Sequence, residues 1–255
     1  MFCAVFVCNN AFLDKFIGTC SALIYTGKFT GDIVLVTGND VDMDELLKDT
    51  FIKHHQSQIT IKACQDIVFE NTAYKTMTET NAICGKTANK LFQFHKYHIF
   101  TPFFKQWKYV FYIDCGAKIF NPVQPLLDCA CENTLLAHSD AFPTYVRKLS
   151  GQFIGGNKQE LCETWDLERD YFQSTIMLFD TSIIEEDTFK TLCDLTERYP
   201  ISRTNDQGIL NLYFICIKDK WKQLTLGNHK THFYDFNIRN TDKPYIMTKY
   251  FIFND

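Results

Sequence analysis

The chain has 255 residues, 46% of them apolar and 22% charged. That is the composition of an ordinary globular protein and excludes a disordered, collagen-like or coiled-coil chain. Lys and Arg number 26 against 30 Asp and Glu, a net charge of −4, which argues against a general nucleic-acid binder.

Taken in chain order, Phe2–Cys8 is a continuous apolar run ending at Asn9-Asn10. It reads as a buried parallel strand opening into a polar loop. Phe12, Phe16, Cys20 and Leu23 recur at helical spacing and predict a helix to Tyr25. Asp32–Thr37 is a second buried strand, Asp42–Asp49 a short helix and Ser57–Ile67 a third strand. Residues 86–107 read as the longest helix, perturbed near its end by Pro102. Lys108–Ile113 is another apolar strand, closed by Asp114-Cys115-Gly116. Further strands are expected at Asn133–Ala137 and Tyr171–Phe179, with helices over Glu185–Arg198 and Asn205–Leu212. The tail from Trp221 reads as aromatic and loop-rich.

Strand and helix alternate in the first half, which predicts an α/β fold around a mostly parallel sheet. One continuous unit with two lobes, about residues 1–120 and 121–255, fits better than two domains. The start lacks a basic region and a small-residue cleavage site, and no run reaches the roughly 18 apolar residues of a membrane span. The 11 cysteines are odd in number, form no CxxC and often sit in apolar runs. They read as reduced thiols, which predicts a cytoplasmic protein.

In open α/β sheets, ligands bind at the carboxyl ends of strands. Asp114 stands at such an end, where it is either a turn-capping residue or a functional carboxylate. Asn9 and Asn10 end the first strand and are either a simple turn or a nucleoside-recognition loop. There is no P-loop, no GxGxxG, no GxSxG elbow and no HExxH pair.

The segment Lys108-Tyr-Val-Phe-Tyr-Ile-Asp-Cys-Gly-Ala-Lys-Ile-Phe120 resembles the central strand and DxD motif of GT-A fold nucleotide-sugar glycosyltransferases, and of glycosyltransferase family 8 in particular. Five further features follow the family's order. Lys96 resembles its basic residue facing the nucleotide-sugar. Leu135–Asp140 resembles a strand ending in a sugar-contacting Asp. Tyr171–Phe179 resembles its YFNSGVML strand, with Gln173 at a sugar-contacting position, and Asn205–Asn211 its DQdilN helix start. Near the C-terminus, His232-Phe233 with Lys243-Pro244-Tyr245 resembles its HF…KPW end.

The resemblance implies a GT-A (Rossmann-like) fold and transfer of a sugar from a UDP- or GDP-sugar to a hydroxyl of a glycan or protein, with retention of configuration. It implies Mn²⁺ or Mg²⁺ held by Asp114 and His232 and a diphosphate neutralised by Lys243. Nucleotide-sugar contacts would come from Asn9, Asn10, Lys96, Asp114, Cys115, Gly116, Asp140 and Gln173. Asp206 and Gln207 are the catalytic candidates, because an oxygen beneath the sugar stabilises an oxocarbenium-like transition state. For Asp206, helix N-capping is an equal alternative.

One departure stands at the centre of the motif, where Gly116 replaces the second carboxylate. Three consequences are open. The metal is held by Asp114, His232, diphosphate and water; or Lys118 or Lys243 supplies its charge; or catalysis is lost, leaving a nucleotide-sugar or glycan-binding module. Cys115 is a poor partner for Mg²⁺ and is expected to turn toward the core. The aromatic cluster from Trp221 to Phe251 reads first as core and second as a stacking wall.

Overall fold

The computed structural model describes residues 1–74, 90–117, 119, 122–140, 147–200 and 202–224. Seven strands form one sheet: β1 (Phe2–Cys8), β2 (Asp32–Thr37), β3 (Ile59–Ala63), β4 (Tyr109–Ile113), β5 (Leu135–Ser139), β6 (Phe172–Asp180) and β7 (Trp221–Gln223). Their order across the sheet is β3-β2-β1-β4-β6-β5-β7. Strands β1 to β4 pair in parallel, as do β5 and β7, and β6 runs antiparallel to both its neighbours. The mostly parallel sheet expected from the apolar runs is therefore present, with one reversed strand that periodicity does not reveal.

Strand β1 shows why those runs are unbroken. Cys3 and Val5 enter the core on one face of the sheet, and Ala4, Phe6 and Cys8 enter the core on the other. A strand covered on both sides has no solvent face on which to place polar residues. The first core packs against helices Thr188–Arg198 and Asp206–Asn211, through Leu192, Ile209 and Leu210. The second packs against helix Leu13–Tyr25, through Phe16, Cys20 and Leu23. Each fully buried Phe, Leu or Val contributes about 1.5–3 kcal/mol relative to exposure.

Helix Met43–Leu46 begins where Asp42 accepts hydrogen bonds from the N–H groups of Asp44 and Glu45, at 3.0 and 3.1 Å. Such a cap satisfies donors that a first turn otherwise leaves open.

The stretch expected as one long helix is different. Lys90–Phe100 winds as a 3-10 helix, and Pro102–Gln106 is a separate 3-10 turn. Its apolar residues explain the tighter winding: Phe94, Tyr97 and Phe100 recur every third residue and all lie in the first core. A three-residue period stacks them on one stripe of a 3-10 helix, whereas an α-helix would fan them apart. Elements outside the expectation include helix Thr50–His54, helix Gln124–Leu127, helix Gly156–Thr164 and strand β7. Trp221, the start of a tail read from the sequence as loop-rich, is in β7, and its indole N–H donates to the Ala137 carbonyl at 3.1 Å.

Candidate active site

Strand β1 is flanked by β2 on one side and β4 on the other, so the chain's connections diverge at its carboxyl end. Such a divergence opens a crevice, and here it forms a cavity of about 300 Å³. Its walls come from the ends of β1 (Val7, Cys8, Asn9) and β4 (Tyr112, Asp114, Cys115), the start of β6 (Ser174, Thr175) and the helix start at Asp206-Gln207.

Lys96 stands at the centre. Its position in the 3-10 helix buries the whole side chain, which is 8% exposed. The ammonium lies 3.0 Å from Asp206 Oδ2, 3.5 Å from Asp114 Oδ1 and 5.1 Å from the centroid of the Tyr112 ring. It also donates to the Ser174 carbonyl at 3.0 Å and the Ser174 hydroxyl at 3.2 Å. Burial opposes the charge on Lys96, but the carboxylates of Asp114 and Asp206 outweigh it, and its pKa is raised. Burial also raises the pKa of Asp206, against the lowering pull of Lys96 and of the Ser174 hydroxyl. An ammonium shared by two carboxylates stays charged, and the described part of the site carries more negative charge than positive.

The Asp-Gln-Gly-Ile-Leu-Asn segment is tied to β6 by its polar residues. Asp206 accepts from the Ser174 hydroxyl at 2.8 Å, and Gln207 Oε1 accepts from the Ser174 N–H at 3.1 Å. Asn211 donates to the Phe172 and Gln207 carbonyls and accepts from the Phe172 N–H. Gly208 is required by close approach: a Cβ there would lie 2.4 Å from Ser202 Cβ. Asp206 does not cap its helix. Asn205 is the capping position, at φ 52°, and its side chain makes no capping bond. The Asp206 carboxylate instead turns inward to Lys96. Gln207 lines the cavity with its amide oxygen already engaged by backbone.

The turn after β4 is held from two sides. The Asp114 N–H donates to the Thr175 carbonyl at 2.9 Å, and the Gly116 N–H donates to the Thr19 hydroxyl at 2.9 Å. Gly116 adopts φ +96°, a left-handed conformation that favours glycine. Asp114 accepts a hydrogen bond from the Tyr112 hydroxyl and is 38% exposed, so part of the carboxylate faces the cavity. The thiol of Cys115 packs with the second core, as expected, but also forms part of the cavity wall. The neighbouring Cys8 thiol and then burial push its pKa up.

The remaining candidates divide. Asn9 lines the cavity, and its buried Oδ1 has no hydrogen-bond partner among the described residues. Asn10 is exposed and does not line it; its N–H donates to Asp40 at 3.2 Å. Asp140 and Gln173 contact each other at 2.7 Å, and neither lines the cavity. Asp140 also accepts from Arg147 at 2.9 Å and from the Tyr171 hydroxyl. Lys118, His232 and Lys243, with the aromatic residues beyond Trp221, lie outside the described residues. Sequence reasoning missed Tyr112, Ser174, Phe12 and Phe92. Tyr112 and Ser174 have a signal in hindsight, since each is a polar group inside an apolar strand.

A divalent cation held by a DxD-type motif needs several oxygen ligands. Position 116 offers no side-chain donor, and Asp114 Oδ1 is shared by Tyr112 and Lys96. Among the described residues no three His, Cys, Asp or Glu side chains converge as a ligand set. Of the two expected ligands only Asp114 is among the described residues; His232 lies outside them.

No family model and no curated protein matches the chain. Solved structures do. The galactosyltransferase LgtC, in complex with donor and acceptor sugar analogues, matches at a TM-score of 0.60 and 15% identity, over 87% of this chain and 72% of that one. The bifunctional glycosyltransferase WbbM matches at 0.57 and 15% identity, over 87% of this chain and 38% of that one. The glycosyltransferase GlyE of Streptococcus pneumoniae TIGR4 matches at 0.53 and 19% identity, over 87% and 44%. The chain thus spans less than half of the last two. With its seven-stranded sheet and flanking helices, the chain has the GT-A glycosyltransferase fold. None of its described helices is long and apolar enough to cross a membrane.

Proposed function

We propose that this chain is a glycosyltransferase that moves a sugar from a nucleoside diphosphate to an acceptor hydroxyl, using the cavity between β1, β4 and β6. The observation that carries the reading is the buried Lys96, shared by Asp114 and Asp206 at the switch point of a GT-A sheet. A charged group enclosed at that cost needs a use, and an anionic leaving group supplies one. LgtC, which shares the fold, binds donor and acceptor sugar analogues.

In this reading the nucleoside lies toward Asn9, whose unpartnered oxygen accepts a base or ribose donor. Asp114 and Lys96 face the diphosphate–sugar junction. Asp206 acts as a positioning residue that keeps Lys96 charged and in place, and Gln207 presents the rest of its amide to the sugar. The donor is a UDP- or GDP-sugar and the acceptor a glycan or protein, with retention of configuration in the manner of family 8. The residue pattern near Lys243 and His232 is assigned to the same site, as is the pair Asp140–Gln173 through the sugar hydroxyls. The two lobes, about residues 1–120 and 121–255, would carry donor and acceptor. The free thiols of the described cysteines favour a reducing compartment such as the cytoplasm.

A second reading is a binding module that holds nucleotide-sugar without turning it over, and Gly116 favours it. Incubation with a panel of UDP- and GDP-sugars separates the two. Release of free nucleoside diphosphate from one donor, lost in Asp114→Ala, supports the enzyme. Binding without release supports the module. Absence of both with every donor overturns the proposal.

A further inference from the structure

The cavity has an unsolved charge problem. Its described walls carry the carboxylates of Asp114 and Asp206 against the single ammonium of Lys96, which both carboxylates already share. A diphosphate entering there brings further negative charge. In a DxD-type site a second carboxylate would help hold a divalent cation to meet it, but that position is Gly116, and among the described residues no three His, Cys, Asp or Glu side chains converge as a ligand set.

Something else stands where that carboxylate would project. A Cβ built on Gly116 would lie 3.5 Å from Cδ of Lys15, and among the described residues, its chain neighbours aside, no other atom would come within 4 Å. The Lys15 stem therefore runs along the open face of the glycine. Its ammonium sits 4.5 Å from the centroid of the Phe12 ring, and Phe12 is a wall of the cavity. Phe12, Lys15 and Thr19 follow at helical spacing along the start of helix Leu13–Tyr25. Thr19 anchors that face to the motif by accepting from the Gly116 N–H and donating to the Ala117 carbonyl at 3.0 Å. Lys15 is exposed, and among the described residues no carboxylate pairs with it. A cation resting on an aromatic face is held loosely, and its four-carbon stem lets it swing to a stronger anion.

We propose that Lys15 is a diphosphate-binding residue of this site, its ammonium supplying the positive charge for which the glycine at position 116 leaves no metal ligand. The proposal rests on the nucleotide-sugar reading above. In it, Lys96 meets the diphosphate from within the cavity and Lys15 from outside its described lining, beside Phe12 and Gly116, and phosphate displaces the Lys15 ammonium from Phe12 as a charge-assisted contact. Glycine at 116 is then a matched change, since a carboxylate there would pair with Lys15 and remove it from use.

The test is calorimetric titration of the whole chain with UDP, UMP, GDP and GMP, first in EDTA and then with Mn²⁺. The expected result is that one diphosphate binds in EDTA, at least tenfold more tightly than its monophosphate. Lys15→Ala should collapse that ratio about tenfold while leaving monophosphate affinity unchanged, and Lys15→Arg should restore it. A purely structural role for Lys15 would not move the ratio. Gly116→Asp should also weaken diphosphate binding in EDTA. Diphosphate binding that disappears in EDTA and returns with Mn²⁺ would overturn the inference and leave the nucleotide-sugar reading standing. So would a Lys15→Ala ratio equal to the parent's. No binding of any nucleotide in either condition would remove both.

Discussion

Lys96 Nζ and Asp206 Oδ2 lie 3.0 Å apart, with both side chains almost wholly withdrawn from solvent at 8% and 4% exposure. They come from segments 110 residues apart in sequence, one a 3-10 helix and the other the first turn of an α-helix. Ser174, on β6 between them, bonds to both. Three elements of the sheet's first face therefore meet in one polar contact, and its loss has consequences for stability as well as for chemistry.

Lys96→Met leaves Asp206 buried without its cation. Breaking one side of a buried pair costs about 3–5 kcal/mol, so the variant should lose that much in urea unfolding near neutral pH. The cost should shrink as the pH falls, because burial already raises the Asp206 pKa, loss of Lys96 removes a lowering pull, and the unpaired carboxyl takes up a proton. Lys96→Met with Asp206→Asn should recover part of the loss. A Lys96→Met variant as stable as the parent at every pH would show that the pair is not formed.

The raised pKa of Lys96 has its own signature. Its folded value lies above the unfolded one, so its contribution is fully present below the unfolded pKa of about 10.4 and is lost as pH rises through the folded value. Alkaline unfolding should therefore begin later in the parent than in Lys96→Met. Coincident alkaline transitions would contradict this.

His138, within β5, carries a pKa that burial lowers to about 4, against a weaker raising pull from Asp140. The unfolded chain binds a proton here near pH 6.5 and the folded chain does not, so stability falls with acid. Between pH about 7 and about 5 the loss should be about 2 kcal/mol from this group. His138→Gln should flatten that part of the pH–stability curve. An unchanged slope would mean that His138 is not held neutral.

Gly208→Ala places a methyl group against Ser202 Cβ, where a Cβ would lie only 2.4 Å away. Overpacking of this kind costs about 1–3 kcal/mol, and it should displace the helix start that carries Asp206 and Gln207. Ser202→Gly in the same chain should relieve it. Donor turnover should follow stability in both variants, and full turnover in Gly208→Ala would separate the helix start from the site.

Ten cysteines are described and all are free thiols, with Cys162 exposed and Cys20 buried, its pKa pushed up to about 12 by burial. Titration of the native protein with a thiol reagent should show a fast phase that drops by one equivalent in Cys162→Ser, while Cys20 reacts only on unfolding. A fast phase unaltered by that substitution would place Cys162 elsewhere.

The fold was largely readable along the chain, for a local reason. Runs such as Phe2–Cys8 and Asp32–Thr37 are apolar without alternation, and only strands covered on both faces have that pattern. The position of Asp114 after such a run placed it at a sheet end, where it lies. The winding of Lys90–Phe100 is not legible in the chain, because apolar residues at three- and four-residue spacings overlap in a short window, and packing against the sheet selects between them. Reversal of β6 left no mark in its residues, since parallel and antiparallel buried strands bury the same side chains.

The site divides in the same way. Which residue types stand at 96, 114, 116 and 206 is a property of the chain, and with it the loss of a carboxylate at 116. That Asp206 faces Lys96 instead of capping its own helix was settled by the fold. Both choices satisfy a carboxylate locally, and only the arrival of a buried ammonium makes the inward one favourable. The placement of Lys15 beside Gly116 is likewise a product of Thr19 bonding to the motif turn, a contact between residues 97 apart that no local pattern announces.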